Sequence, residues 1–279
     1  MGDRVEQSGL RRTVGCSLEA ALGEPTDLVL AIAVAREPGL SIHESLSVEG
    51  EDGLLDTSEI VDASGTRWHT TRAPAGELRV RYEAEVFGRA HPRVVASHER
   101  IVFVRPSRYV QSDELAGGLV DPTEVEQLAR LDPFDRVLAA QEWVASRLSY
   151  TPGSTSPIDG LPEVLATGAG VCRDFAHLLA GVLRATDLPA RTVSVYAPHL
   201  EPMDFHAVVE VAIEDRWWVL DATGLAPRAS MLRIATGRDA ADTAFLANDG
   251  SSLVLTGIAV HAEVGEAARE VPEAFVHLG

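Results

Sequence analysis

One stretch, Gly168-Ala-Gly-Val-Cys-Arg-Asp-Phe-Ala-His177, limits the fold of this chain more than any other. Glycines at 168 and 170 mark a loop. Beyond Cys172 the apolar residues Phe175, Ala176, Leu178, Leu179, Val182 and Leu183 recur at helical spacing, which predicts a helix with one buried face. Asp187-Leu188-Pro189 then stops it, because proline cannot continue the hydrogen-bond ladder. Cys172 therefore falls in the first turn of a buried helix. Unpaired backbone N–H groups and the positive end of the helix dipole meet there, a setting that favours thiolate. The plain alternative is a buried cysteine acting as a small hydrophobe.

Two later stretches bear on that choice. Met203-Asp-Phe-His-Ala-Val-Val-Glu-Val-Ala-Ile213 is apolar and β-branched after His206 and predicts a buried strand with His206 near its start. Trp217-Trp-Val-Leu-Asp-Ala-Thr223 predicts a second strand ending at Asp221, with Glu214-Asp215-Arg216 as the turn between them. In an antiparallel hairpin centred near 214, residues whose numbers sum to about 428 face each other. His206 is then set opposite the neighbourhood of Ala222, next to Asp221. A carboxylate beside an imidazole orients it and stabilises its charged form, and the imidazole can then take a proton from a thiol. Cys172, His206 and Asp221 thus form a candidate cysteine-nucleophile triad in chain order.

These residues resemble a known family. Gly170-Val-Cys-Arg-Asp-Phe-Ala-His177, Leu188-Pro-Ala-Arg191, Phe205-His-Ala207 and Trp218-Val-Leu-Asp-Ala-Thr223 are similar to the core of the transglutaminase-like superfamily. Arg105-Pro-Ser-Arg-Tyr-Val-Gln-Ser-Asp113, Tyr150-Thr-Pro-Gly-Ser-Thr155 and Arg233-Ile-Ala-Thr-Gly-Arg-Asp-Ala-Ala-Asp242 resemble its bacterial branch. The resemblance implies a distantly papain-like core behind an N-terminal β-domain, with Cys172, His206 and Asp221 in the catalytic positions. It also implies that the loop after Tyr150 lies near the cleft, where Ser154 or Thr155 is a candidate second oxyanion donor. One position departs: the family often has an aromatic residue two places after the histidine, and here it is Val208. That residue shapes the cleft in relatives, so substrate preference does not carry over.

Charge and cysteine content narrow the partners. A formal net charge of −18 with no basic run argues against nucleic acid and anionic membranes. Only two cysteines occur, Cys16 and Cys172, too few for a disulfide scaffold. Together with an N-terminus lacking an apolar signal core, they suit a reducing cytoplasm. The longest early apolar run, Leu28 to Ala35, is too short to span a bilayer and predicts a strand. Every basic side chain counted is arginine, so lysine-directed self-cross-linking is ruled out. The histidines are scattered, and there is no CxxC pair or phosphate-cradling glycine loop, so neither a metal nor a cofactor is expected.

The expected fold class is α+β. Residues 1–112 predict an antiparallel β-sandwich: Ser41–Val48 and Glu77–Phe87 alternate apolar and polar, and glycines punctuate the region. His43 and His69 stand singly there. Residues 113–262 form the expected transglutaminase-like core. Its helices start at Asp121-Pro122 and Asp132-Pro133, and the Arg- and Asp-rich stretch Ala226–Asp242 reads as a loop fixed by ion pairs. His199 and Asp204 lie in a loop approaching His206. Residues 263–279 read as a loosely held tail. The function expected is cysteine-dependent acyl transfer, hydrolysing a peptide, protein or amide substrate. An amine-accepting transglutaminase, an inert scaffold on the same fold and a redox-sensing thiol without a nearby resolving cysteine are the rivals.

Overall fold

The computed structural model describes residues 10–250, 252–265 and 275–279. Seven strands come first: β1 (Arg11–Leu22), β2 (Thr26–Leu30), β3 (Leu40–Gly50), β4 (Gly53–Leu54), β5 (Ser58–Val61), β6 (Arg67–Ala73) and β7 (Gly76–Gly88). Short helices α1 (Ser97–Val102) and α2 (Ser112–Glu114) lead to α3 (Pro122–Ala129) and α4 (Pro133–Ala145). Next come β8 (Ser149–Tyr150), α5 (Leu161–Thr167), β9 (Ala169–Gly170) and the long helix α6 (Cys172–Ala185). Strands β10 (Ala190–Tyr196), β11 (Phe205–Ile213), β12 (Arg216–Leu220) and β13 (Leu232–Gly237) follow. The chain then adds α7 (Ala240–Thr243), β14 (Leu246–Asn248) and β15 (Leu253–Val264).

The expected α+β class holds. Two antiparallel sheets, ordered β15-β1-β7-β3-β4 and β14-β2-β6-β5, face each other over an apolar core. Strand β7 shows why: Leu78, Val80, Tyr82, Ala84 and Val86 are buried while the alternate residues face outward. The expected strand over Leu28–Ala35 stops at Leu30. Residues 31–35 stay buried, but the Ala35 N–H donates to the Arg233 carbonyl of the second half of the molecule. Tyr82 donates to Glu44 at 2.7 Å and accepts the Val34 N–H at 3.0 Å, which fixes that segment.

The core half is a four-stranded sheet, β12-β11-β10-β13, with α6 laid across β11 and β10 and flanked by α4. Asp121 and Asp132 cap α3 and α4 as expected, accepting the Thr123 and Phe134 N–H groups at 2.9 and 3.0 Å. Helix α6 is buried continuously from Asp174 to Arg184. Buried charge joins the two halves. Glu210 accepts from Arg191 and Arg233 at 2.8 Å each, and Arg233 also donates to Glu37 at 3.0 Å.

Three expectations are corrected. The stretch around Arg233 is not a loop: Leu232–Gly237 is strand β13, and Arg233 is buried in it because two carboxylates meet its guanidinium. The division at residue 262 does not follow the sheets. Strand β14 pairs with β2 and β15 with β1, so both complete the N-terminal sandwich. Finally, the end of the expected tail is anchored. Val276 accepts the Val219 N–H at 3.0 Å, His277 stacks on Trp218 with centroids 4.2 Å apart, and Leu278 is buried. Residues 266–274 of that tail lie outside the described residues.

Candidate active site

Helix α6 begins at Cys172, with Val171 as its extended N-cap. Asp174, fully buried, holds this first turn. It accepts the Val171 N–H at 2.8 Å and the Thr155 hydroxyl at 2.5 Å, and Arg173 donates to it at 2.9 Å. Gly170 makes the close approach possible, since a Cβ there would lie 2.6 Å from the Asp174 Cβ. Arg173 also donates to the Thr155 hydroxyl and the Ser156 carbonyl at 2.9 and 3.0 Å, stapling the preceding loop to the helix. Cys172 itself is half-buried and free, its backbone N–H at a position that no intrahelical carbonyl reaches.

The imidazole and carboxylate arrive on the β11–β12 hairpin. Its pairs, from Val209 with Leu220 to Ile213 with Arg216, sum to 429, one more than the sequence reading took, because the turn is the two residues Glu214-Asp215. Glu214 takes the left-handed conformation, with φ of 56°. Strand pairing ends at Leu220, so Asp221 sits on a turn rather than in the strand. Thr223 builds that turn, its N–H and hydroxyl donating to Asp221 Oδ1 at 2.9 and 2.6 Å. The other oxygen, Oδ2, meets His206 Nε2 at 2.8 Å. Both side chains are almost wholly buried.

Electrostatics separate the two faces of the imidazole. Burial works against charge on His206, but the Asp221 hydrogen bond and charge override it, Cys172 adds to them, and the imidazole is pushed up to about 10. Asp221 is itself buried, yet His206 and then Thr223 hold its carboxyl below the usual range. With Nε2 given to Asp221, the ring's Nδ1 is buried without a protein hydrogen bond, and the Cys172 thiol also acts on the ring. The three residues singled out in the sequence therefore come together.

Other candidates do not join them. Thr155 is spent on Asp174, and Ser154 donates to the Thr151 carbonyl at 2.8 Å. His199 is exposed with φ of 70°, and Asp204 accepts the Phe205 N–H at 2.7 Å. Val208 is buried in a small cluster with Val193, Val195 and Val219. His43 packs edge-on against Phe87 and His69 lies 3.5 Å from Glu59, both in the sandwich. His177 accepts the Ala240 N–H at 3.0 Å, and burial pushes it down to about 4, so it stays neutral. Among the described residues no three His, Cys, Asp or Glu side chains gather as a metal site, and no helix is long and apolar enough to cross a membrane.

Residues 125–222 match the sequence profile of the transglutaminase-like superfamily, a span that holds all three site residues. The chain carries a transglutaminase-like domain. Its overall structure is similar to that of a candidate cysteine protease from Cytophaga hutchinsonii, with a TM-score of 0.83 and 27% identity over 94% of this chain and 93% of that one. An uncharacterized protein of Mycobacterium leprae is 34% identical over 145 residues, 48% of this chain and 50% of that protein. A protein of Pyrococcus horikoshii is 35% identical over 81 residues, 29% of this chain and 26% of that protein. The match thus spans about half of one curated relative and a quarter of the other. The transglutaminase-like domain and the similarity to the Cytophaga protein give the chain a transglutaminase-like cysteine-protease fold.

The site residues that sequence reasoning missed support the three rather than add to them. Thr223 was signalled by the Asp-Ala-Thr spacing, since a carboxylate often accepts from the backbone two residues on. Asp174 carried no comparable signal, because an acidic residue in a first helical turn is ordinary.

Proposed function

We propose that Cys172 forms a thioester with an acyl substrate and that water releases it, making the protein a peptidase or amidase. The observation that carries this is the order Cys172, His206, Asp221 across one ring, with the cysteine at a helix start and the carboxylate 2.8 Å from Nε2. In the reaction the Cys172 thiolate, paired with the charged His206, adds to the substrate carbonyl. The carbonyl π electrons move to oxygen, where the Cys172 backbone N–H stabilises them. Collapse expels the amine, which takes the proton from His206. The same imidazole then removes a proton from water for deacylation. Asp221 and Thr223 position the ring throughout. The class assigned to the Cytophaga protein supports water as the acceptor.

The test is turnover of a peptide and amide panel by the wild type, Cys172→Ser and His206→Ala, with circular dichroism to check the fold. Both variants should lose turnover by orders of magnitude while keeping the wild-type spectrum. Wild-type-like turnover by either sinks the proposal. Adding a labelled primary amine reads the rival acceptor directly: incorporation into an acyl substrate in place of hydrolysis makes the enzyme a transglutaminase.

A further inference from the structure

Tyr150 stands at the nucleophile without a part in the chemistry above. The hydroxyls of Tyr82 and Tyr196 are committed to Glu44 and to the Ile32 carbonyl. The Cys172 backbone N–H and thiol are instead the groups that act on the Tyr150 hydroxyl. Two features fix it there. Strand β8 runs parallel to β9 with Tyr150 opposite Gly170, two residues before the cysteine. The Ser149 and Thr151 N–H groups donate to the Gly168 and Gly170 carbonyls at 3.0 and 2.8 Å, pinning both sides of the tyrosine. Its ring leans on Phe175 in the first turn of α6, with centroids 6.0 Å apart and planes at 40°. At 41% exposure the side chain is open to an incoming substrate.

We propose that the Tyr150 hydroxyl is the second hydrogen-bond donor to the oxyanion formed at Cys172. The proposal rests on the acyl-transfer reading. As the C–S bond forms and the carbonyl π pair moves to oxygen, that oxygen takes the Cys172 N–H from the phenol. The Tyr150 O–H turns about its C–O bond and donates to the new oxyanion. Tyrosine gives up no proton: collapse returns the electron pair to the carbonyl, and the leaving amine is protonated by His206. A donor in this place has to keep its proton beside a thiolate. Burial and the Cys172 charge ensure that, pushing the phenol up to about 12. The two hydroxyls the sequence suggested for this task, Ser154 and Thr155, are already engaged.

Tyr150→Phe removes the hydroxyl and keeps the ring on Phe175. Two reactions of the full chain separate the roles: single-turnover acylation by p-nitrophenyl acetate, which passes through an oxyanion, and alkylation by iodoacetamide, which does not. Cys172→Ala is the blank for both. Cys16 does not interfere, because it is buried and its thiol is pushed up to about 11. Acylation should fall about 100-fold in Tyr150→Phe, the usual cost of one oxyanion donor, with alkylation at the wild-type rate. Unchanged acylation overturns the proposal. An equal loss in both reactions also overturns it, by moving the tyrosine's effect to the thiolate or the fold. A wild type that is alkylated but never acylated overturns the acyl-transfer reading, and the oxyanion role with it.

Discussion

Replacing Asp221 by asparagine should remove one pH-dependent part of the protein's stability. The substitution keeps the side-chain shape and deletes the charge. In the wild type His206 is 2% exposed, and burial alone would disfavour its protonated form; Asp221 reverses this and pushes it up to about 10. A group whose pKa rises on folding adds stability that is whole below its unfolded value, about 6.5, and is lost as pH climbs through the folded one. Between those limits the folded chain holds about one extra proton. Stability should therefore fall by about 1.4 kcal/mol per pH unit, or about 3 kcal/mol from about pH 6.5 to about pH 9. In Asp221→Asn burial acts with far less opposition, the ring stays neutral and that slope disappears. Urea unfolding followed by tryptophan fluorescence reads both proteins, and ionisations common to them cancel in the difference. The gap should be about 4 kcal/mol at the acid end and close to about 1 kcal/mol at the alkaline end. Parallel curves would refute the reasoning, because Asp221 would then be contributing packing rather than holding an imidazolium.

Two further substitutions test the frame around the site. Gly170→Ala puts a methyl group 2.6 Å from the Asp174 Cβ, so the start of α6 must shift; we expect a loss of about 1–3 kcal/mol in urea unfolding and a larger proportional loss of Cys172 alkylation rate. Glu210→Gln removes the carboxylate shared by two buried guanidiniums. Burial opposes charge on Glu210, but Arg191 and Arg233 overcome it and hold the carboxyl far below the usual range, so unfolding should become easier by about 3–5 kcal/mol, measured by the same denaturation.

Much of the site was legible because its signals are local. A glycine-flanked cysteine before a helical apolar pattern, a β-branched run after a histidine and an Asp-Ala-Thr at a strand end each state their own geometry. What stayed hidden depends on residues far apart. Arg233 reads as a loop residue until Glu210 and Glu37, 23 and 196 positions away, are seen to meet it. Tyr150 sits in a stretch of turn residues, and only its pairing with Gly170 brings it to the cysteine. The hairpin register was off by one because turn length, not strand pattern, sets it. Phe275 gives no local sign that it will pack against Phe134, whose ring centroid lies 4.8 Å away.

The pairing of β1 with β15 has a consequence for how the molecule is made. Strand β1 lies between β7 and β15 in its sheet, so one of its two edges waits for residues 253–264. During synthesis the ribosome releases the whole transglutaminase-like domain before that edge is covered. The sandwich thus closes late, and the nascent chain carries an open β-edge for most of its elongation. A chain cut short between α7 and residue 253 would carry Cys172, His206 and Asp221 on a molecule still able to recruit a foreign strand.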